Sequence, residues 1–257
     1  MLAEIKGKIS KSSSNLSERL EDNLTGNVFG VLRYMPFSTV LGEVFSKGIY
    51  PNCVGVAFRK ISSDFWADKI QFWPYDPEGE IDILVDFEEI ILGIEVKYKS
   101  GLSSDDEISN VGYEGQEDAK EKSMNQLARE SRIISKKGRN KKKILLFIAD
   151  RQFCKEVYAN ISNRNIVEKD VAFGYISWQE ILCQLEKLTL TNPFHQLILK
   201  DTIALLKRKG FEDFTSMNVD STKPIDKNDY FRFHAENKPN IDFQQPLTIN
   251  KGVYYEF

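Results

Sequence analysis

The sequence predicts an α/β fold with a mixed central sheet, an antiparallel hairpin at one side of that sheet, and helices flanking it. Two observations predict this class. Residues 79–99 contain two runs rich in Ile and Val, separated by an acidic break at residues 86–89, which is typical of an antiparallel hairpin. Apolar runs then alternate with helical patterns, which is typical of parallel strands joined by crossover helices. The 257 residues, 41% of them hydrophobic, are enough to bury a substantial core.

The residues before the hairpin predict one helix and two strands. Leucine and valine recur at helical spacing from about Ser14 to Tyr34, and Pro36 ends that pattern, so we expect a first helix here. Strands are expected near Val54 to Phe58 and near Lys69 to Trp73, in a stretch whose aromatic residues supply core packing.

After the hairpin, polarity and periodicity predict a loop, a helix and two strands. Residues 100–115 are rich in Ser, Asp, Gly and Asn, so we expect a mobile loop, followed by a helix over residues 116–137. The apolar runs at residues 144–149 and 171–176 predict central strands covered on both faces. A crossover helix is expected between them, at residues 152–161.

Two capping signatures predict the last helices. Ser177 and Glu180 match the S-x-x-E capping box, so a helix is expected directly after the second apolar run. Asn192 and Pro193 suit an N-cap and a first helical position, and Gly210 suits the end of that helix. We expect one domain over residues 1–210, with residues 211–257 forming an extension packed on it.

Composition excludes several functional classes. No apolar run approaches the ~20 residues of a membrane span, and the N-terminus has no signal-peptide pattern, so we expect no membrane partner and a cytoplasmic location. Zinc hydrolases and hydrolytic triads are disfavoured because the only histidines, His195 and His234, stand alone. The cysteines lie far apart and are expected to be buried small hydrophobes: Cys53, Cys154 and Cys183. The net charge of −3 implies that any nucleic-acid contact is local.

The predicted hairpin carries acids and a lysine on one face. Strand alternation puts Asp82 on the face opposite to three apolar neighbours, Ile81, Ile83 and Val85. In a register that pairs Asp82 with Gly93, Asp82 and Glu95 are diagonal neighbours about 7–8 Å apart, with no side chain between them. Lys97 shares the face of Glu95.

This set of residues suits phosphodiester hydrolysis. Two carboxylates can hold Mg²⁺, which lowers the pKa of bound water and stabilises transition-state charge. Lys97 would position that water or neutralise the phosphorane. A charged but inert surface hairpin is the alternative, and it leaves unexplained why charges interrupt apolar strands. The sequence therefore predicts a metal site at Asp82 and Glu95.

Asp82, twelve intervening residues and Glu95-Val96-Lys97 resemble the core motif of the PD-(D/E)XK nuclease superfamily, which has the restriction-endonuclease-like fold. Ile81 stands where the family pattern has Pro. The resemblance covers residues 16–187 and implies a metal-dependent endonuclease that uses Mg²⁺, with Mn²⁺ as a substitute, on nucleic acid and above all DNA. It also implies a setting in restriction or phage defence, as a homodimer or with a partner protein.

The resemblance also implies accessory residues. Many members place an acid from an N-terminal helix in the metal site, and Glu21 is the candidate here; a solvated helix acid is the alternative. Several branches place a glutamine from the helix after the E-x-K strand in the active site. Gln126 occupies that position, with a surface glutamine as the alternative. The runner-up function is a non-catalytic nucleic-acid-binding or assembly subunit with the same fold.

A dense basic turn is the candidate contact for phosphate groups. Its charged residues are Lys136, Lys137, Arg139, Lys141, Lys142 and Lys143. Clusters of this kind neutralise nucleic-acid phosphates. Turns between a helix and a strand are also lysine-rich where they merely face water, so both interpretations stay open.

For the hairpin, we expect that Lys97 can be replaced by alanine without loss of the fold.

Overall fold

The computed structural model describes residues 16–105 and 123–213. Its α-helices are α1 (Leu16–Leu32), α2 (Leu41–Gly48), α3 (Asn52–Gly55), α4 (Gln126–Lys137), α5 (Arg151–Arg164), α6 (Trp178–Glu186) and α7 (Pro193–Arg208), with a 3₁₀ helix at Val56–Lys60. Its strands are β1 (Ile70–Phe72), β2 (Tyr75–Asp76), β3 (Gly79–Glu80), β4 (Ile83–Asp86), β5 (Ile90–Val96), β6 (Lys142–Ala149) and β7 (Val171–Ser177). None of the helices described is long and apolar enough to cross a membrane.

The central sheet is mixed, which confirms the predicted α/β class. Its strand order is β1-β4-β5-β6-β7, while β2 and β3 form a separate pair. The pairs β1–β4 and β4–β5 are antiparallel, whereas the pairs β5–β6 and β6–β7 are parallel. Helices α4 and α5 contribute to the apolar core on one face, and α1, α2, α6 and α7 contribute to the core on the other. Because both faces are covered, every residue of β5 is buried.

The hairpin forms as predicted, but its register differs by two residues. Gly93 pairs with Leu84 and not with Asp82. The loop is shorter than predicted because the amide of Phe87 donates to the carbonyl of Ile90 at 2.9 Å. A shift of two residues preserves the side-chain faces, so Asp82 is moved level with Glu95 on the same side of the sheet.

Two details of the predicted hairpin faces are wrong. Ile81 packs in the core on the α4 side of the sheet, apart from Ile83, because it precedes the regular part of β4. Gly93 does not leave room beside the acids. A side chain at Gly93 would collide with Ile134 of α4, so this glycine lets the helix approach the sheet closely.

Two further elements differ from the prediction. Residues 54–58 form helical turns and no strand, because Pro51 starts a helix and Phe58 turns inward to pack against Phe45. Strand β7 is an edge strand and not a central one. Its apolar sequence reflects a covered edge, since Tyr50 and Tyr175 exchange backbone hydrogen bonds of 2.9 and 2.8 Å.

The remaining predicted helices and strands are confirmed where the structure describes them, except that residues 123–125 are not helical and the predicted second helix starts at Gln126. The predicted burial of the cysteines is correct for Cys154 and wrong for Cys53, which is exposed, and for Cys183, which is only partly buried. Ser177 and Asn192 cap α6 and α7 through their side chains, and Asn125 caps α4. Gly210 follows α7 with a φ of 84°, which suits a glycine. The predicted start of the second helix at residues 116–122 and most of the predicted loop, residues 106–115, lie outside the described residues. So does the extension from residue 214 onward.

Candidate functional site

The acids and the lysine of the hairpin meet where β5 ends. Asp82 precedes β4, Glu95 is the second-last residue of β5, and Lys97 follows that strand. Antiparallel pairing brings the start of β4 to the end of β5. The side chain of Asp82 accepts a hydrogen bond of 2.9 Å from the amide of Val96. The structure therefore brings Asp82, Glu95 and Lys97 together, as the sequence predicts.

Lys97 is fixed at both its backbone and its side chain. Its amide donates to the carbonyl of Ile148 in β6 at 2.7 Å, and its carbonyl accepts from the indole of Trp178 at 3.0 Å. Its ammonium lies 2.7 Å from Glu95 Oε1 and 3.1 Å from Glu21 Oε1. The Lys97 side chain is only 7% exposed, so this is a buried ion pair with two acids.

Glu21 reaches the site from α1. Besides Lys97, it binds the amide of Tyr98 at 3.0 Å and the hydroxyl of Ser100. With 6% of its surface exposed, Glu21 is not a solvated helix acid. Its carboxylate accepts hydrogen bonds on both oxygens, so its position holds the segment after β5 against α1.

Gln126 occupies the first position of α4 and binds Glu95. Its amide nitrogen donates to Glu95 Oε1 at 2.6 Å. Its amide oxygen accepts from both the amide and the hydroxyl of Ser103, each at 3.0 Å. Gln126 is buried, which excludes the surface alternative. Gln126 therefore contacts the buried end of the sheet through Glu95.

Glu130 is a site residue that the sequence prediction missed. It lies one helical turn after Gln126 and is 2% exposed. Neither carboxylate oxygen has a hydrogen-bond partner of normal geometry, and the side chains of Glu95 and Gln126 are close enough to act on the pKa of Glu130. The available signal was the spacing of four residues from Gln126, which puts both side chains on one face of α4.

Burial raises the pKa of each acid at the centre of the site. The pKa of Glu130 is raised to about 8 by burial, and the charge of Asp82 adds to the effect. Burial also raises the pKa values of Glu95 and Asp82, helped by the charges of Glu130 and Glu95 respectively. Asp82 keeps partial contact with solvent, although the surrounding protein desolvates its carboxylate.

The pKa of Lys97 is decided by the neighbouring charges and not by burial. Burial alone lowers the pKa of its ammonium, but the charges of Glu95 and Glu21 outweigh burial, and the net shift is upward. Lys97 is therefore a permanent positive charge and not a proton acceptor. One ammonium stands against four carboxyl groups, so the site requires bound protons or an added cation to limit repulsion.

The carboxylate oxygens of the site are suitable ligands for a hard divalent cation. Carboxylate oxygens are the ligands that Mg²⁺ prefers, and Mg²⁺ is commonly held by one or two protein carboxylates with water and phosphate completing the shell. Within residues 16–105 and 123–213, no group of three or more His, Cys, Asp or Glu side chains is arranged to hold a metal ion.

A groove of about 360 Å³ adjoins the acids. Tyr98 and Ser100 form one side, and Asp150 and Phe153 form another. Ser100 also binds Glu21, so the groove and the carboxyl cluster share a wall. Aromatic, hydroxyl and acidic residues therefore line this groove together.

The basic turn lies away from the carboxyl cluster. Lys142 pairs with Ile90 at the start of β5, whereas Ile148 pairs with Val96 at its end, so about 20 Å of strand separates the two regions. Four of the basic residues form ion pairs with acids of this chain: Lys136 with Glu78, Lys137 with Asp76, Lys141 with Asp86, and Lys143 with Asp170. Arg139 and Lys142 are exposed. The phosphate contact stays a prediction.

Replacing Glu130 by glutamine should stabilise the metal-free protein. The pKa of Glu130 is higher in the folded chain than in the unfolded chain, so its ionisation opposes folding above the unfolded value, near 4.5. The gain should grow from pH 5 to pH 8 and reach about 4 kcal/mol. Urea unfolding in EDTA measures it, with the exposed Glu88→Gln as control. A gain that does not change with pH would show that Glu130 titrates normally.

Comparison with known proteins adds no relative. A scan against protein-family models, a search of curated proteins and a search of solved structures each return no match for this chain. Functional inference therefore depends on the geometry of the site.

Proposed function

We propose that this chain is a Mg²⁺-dependent nuclease of the PD-(D/E)XK type that hydrolyses phosphodiester bonds in nucleic acid, with DNA as the first substrate to test. The observation that carries the proposal is the position of the Lys97 ammonium, 2.7 Å from the Glu95 carboxylate. Asp82 lies beside them at the open end of the hairpin, where β4 begins and β5 ends. An acid pair with an adjacent fixed cation suits phosphoryl chemistry, because it combines metal binding with stabilisation of negative charge.

The topology supports the same proposal. An antiparallel pair, β4 and β5, continues into the parallel strands β6 and β7, with helices on both faces. This arrangement agrees with a restriction-endonuclease-like core. The site lies at the carboxyl end of β5, where β5 leaves the sheet beside the parallel β6, a common location for ligand sites in α/β sheets.

Each residue has a distinct part in the proposed reaction. Asp82 and Glu95 would hold the divalent cation, which when bound lowers the pKa of water and stabilises developing charge. Lys97 keeps a positive charge close to the scissile phosphate. Gln126 orients Glu95 through its 2.6 Å hydrogen bond, and Glu21 orients Lys97. These two are positioning residues, since they act through Glu95 and Lys97.

Cleavage assays test the proposal directly. Purified protein is incubated with supercoiled plasmid, linear duplex, single-stranded DNA and RNA, each with Mg²⁺, Mn²⁺ or EDTA. We expect cleavage of at least one DNA substrate with Mg²⁺ or Mn²⁺ and none with EDTA. Absence of cleavage of every substrate with both metals contradicts the proposal.

A cytoplasmic setting in restriction or phage defence, as a homodimer or with a partner protein, belongs to the same proposal.

The closed state of the site favours a second candidate, a non-catalytic nucleic-acid-binding or assembly subunit. Glu95 is 2% exposed and Lys97 6% exposed, so their network could serve only to join α1, α4 and the hairpin. That candidate predicts nucleic-acid binding that is insensitive to EDTA and is never followed by cleavage. The same assays, read for binding as well as cleavage, therefore separate the two candidates.

A further inference from the structure

Glu95 and Glu130 form a buried carboxyl pair at the end of β5. Each is 2% exposed. Both bonded donors on Glu95, from Lys97 and Gln126, bind its Oε1 atom. Glu130 receives no hydrogen bond of normal geometry on either oxygen, although the amide of Gln126 lies near it, and its carboxyl group lies within reach of Glu95. Two ionised carboxylates are both acceptors, so their contact is repulsive unless a proton or a cation lies between them.

Glu130 is held in this position by a rigid element. Helix α4 packs closely on β5 at Gly93, where a larger residue would collide with Ile134. Arg129, the neighbour of Glu130, donates to the carbonyl of Glu78 at 2.5 Å and joins the helix to β3. An unpartnered buried acid on a fixed helix costs stability, and that cost is offset when a ligand binds it.

We propose that Glu130 is a cation ligand, and that Glu95 and Glu130 together hold one divalent ion, with water and substrate oxygens completing its shell. The inference rests on the proposed function and deepens it, because it moves part of the metal site from the hairpin to α4. Mg²⁺ and Mn²⁺ are suited to a site with two protein carboxylates. Asp82, which is more open to solvent, then lies on the substrate side of the ion.

Calorimetry with Mn²⁺ alone tests this inference on the full chain. The variants are Glu130→Gln, which keeps the size of the side chain, and Glu88→Gln, an exposed control with the same change in net charge. We expect Glu88→Gln to bind Mn²⁺ like the wild type and Glu130→Gln to bind it at least about tenfold more weakly. Mn²⁺ should also raise the melting temperature of the wild type more than that of Glu130→Gln.

The outcomes separate this inference from the proposed function. Equal Mn²⁺ affinity in the wild type and Glu130→Gln overturns the inference and leaves a shared proton between the two acids. Failure of the wild type to bind Mn²⁺ overturns it as well. In either case, the cleavage assays with EDTA controls decide the nuclease proposal independently. Metal-dependent cleavage that survives Glu130→Gln would retain the nuclease and remove only Glu130 from the metal site.

Discussion

Replacement of Lys97 by alanine is expected to lower the free energy of unfolding by about 3–5 kcal/mol, the usual cost of removing one partner of a buried ion pair. The substitution leaves Glu21 and Glu95 buried without the ammonium that lies 3.1 and 2.7 Å from them. The sequence predicts that this variant folds normally. Because Lys97 is surrounded by protein, we add the expectation that the folded variant is less stable.

Urea unfolding measures this loss, with the midpoint compared at constant slope. Lys99→Ala is the matched control, since Lys99 is exposed, lies two residues further along the chain and should change stability by less than about 0.5 kcal/mol. The difference between the two variants should shrink at low pH, where Glu95, whose pKa is raised by burial, binds a proton. Wild-type stability in Lys97→Ala would contradict a stabilising role for the buried pair.

Replacement of Asp82 by asparagine is expected to reduce metal-dependent cleavage by on the order of a hundredfold or more while the protein stays folded. The amide oxygen of asparagine can still accept the hydrogen bond from Val96, so the local backbone is preserved. The variant loses the negative charge that would face the cation and the substrate. Losing one group directed at transition-state charge typically has an effect of this size.

Asp86→Asn provides the control for Asp82. Asp86 is exposed and lies at the far end of β4, where it pairs with Lys141 at 2.5 Å. The Asp86→Asn variant should cleave nucleic acid at the wild-type rate. Calorimetry on Asp82→Asn then tells whether the lost cleavage follows from lost metal binding. Wild-type cleavage by Asp82→Asn would remove Asp82 from the proposed mechanism and leave the acids of β5 and α4.

Local patterns were sufficient for much of the fold. The apolar runs that became β5 and β6, and the capping residues Ser177 and Asn192, are signals contained within a few neighbouring residues. The spacing of Asp82, Glu95 and Lys97 is also a local signal, because all three residues belong to one hairpin. A hairpin brings such residues together through its own geometry, so their proximity follows from strand alternation even when the register is wrong by two residues.

Long-range packing decided what these patterns left open. Residues 54–58 form helical turns with Phe58 packed inward, and β7 is a covered edge strand through its contact with Tyr50. Each outcome depends on a partner distant in the sequence. Propensity and periodicity describe a segment on its own, and they contain no information about that partner.

The sequence alone determined that two acids and a lysine share one end of a hairpin within an α/β fold. Only the tertiary structure decided that Lys97 is buried between Glu21 and Glu95, that Glu130 faces Glu95, and that the basic turn lies at the opposite end of the sheet. The physical reason is desolvation. A charged side chain changes the free energy of folding little when it is exposed and makes it less favourable when it is buried without a partner. Burial is set by the elements that pack around the side chain.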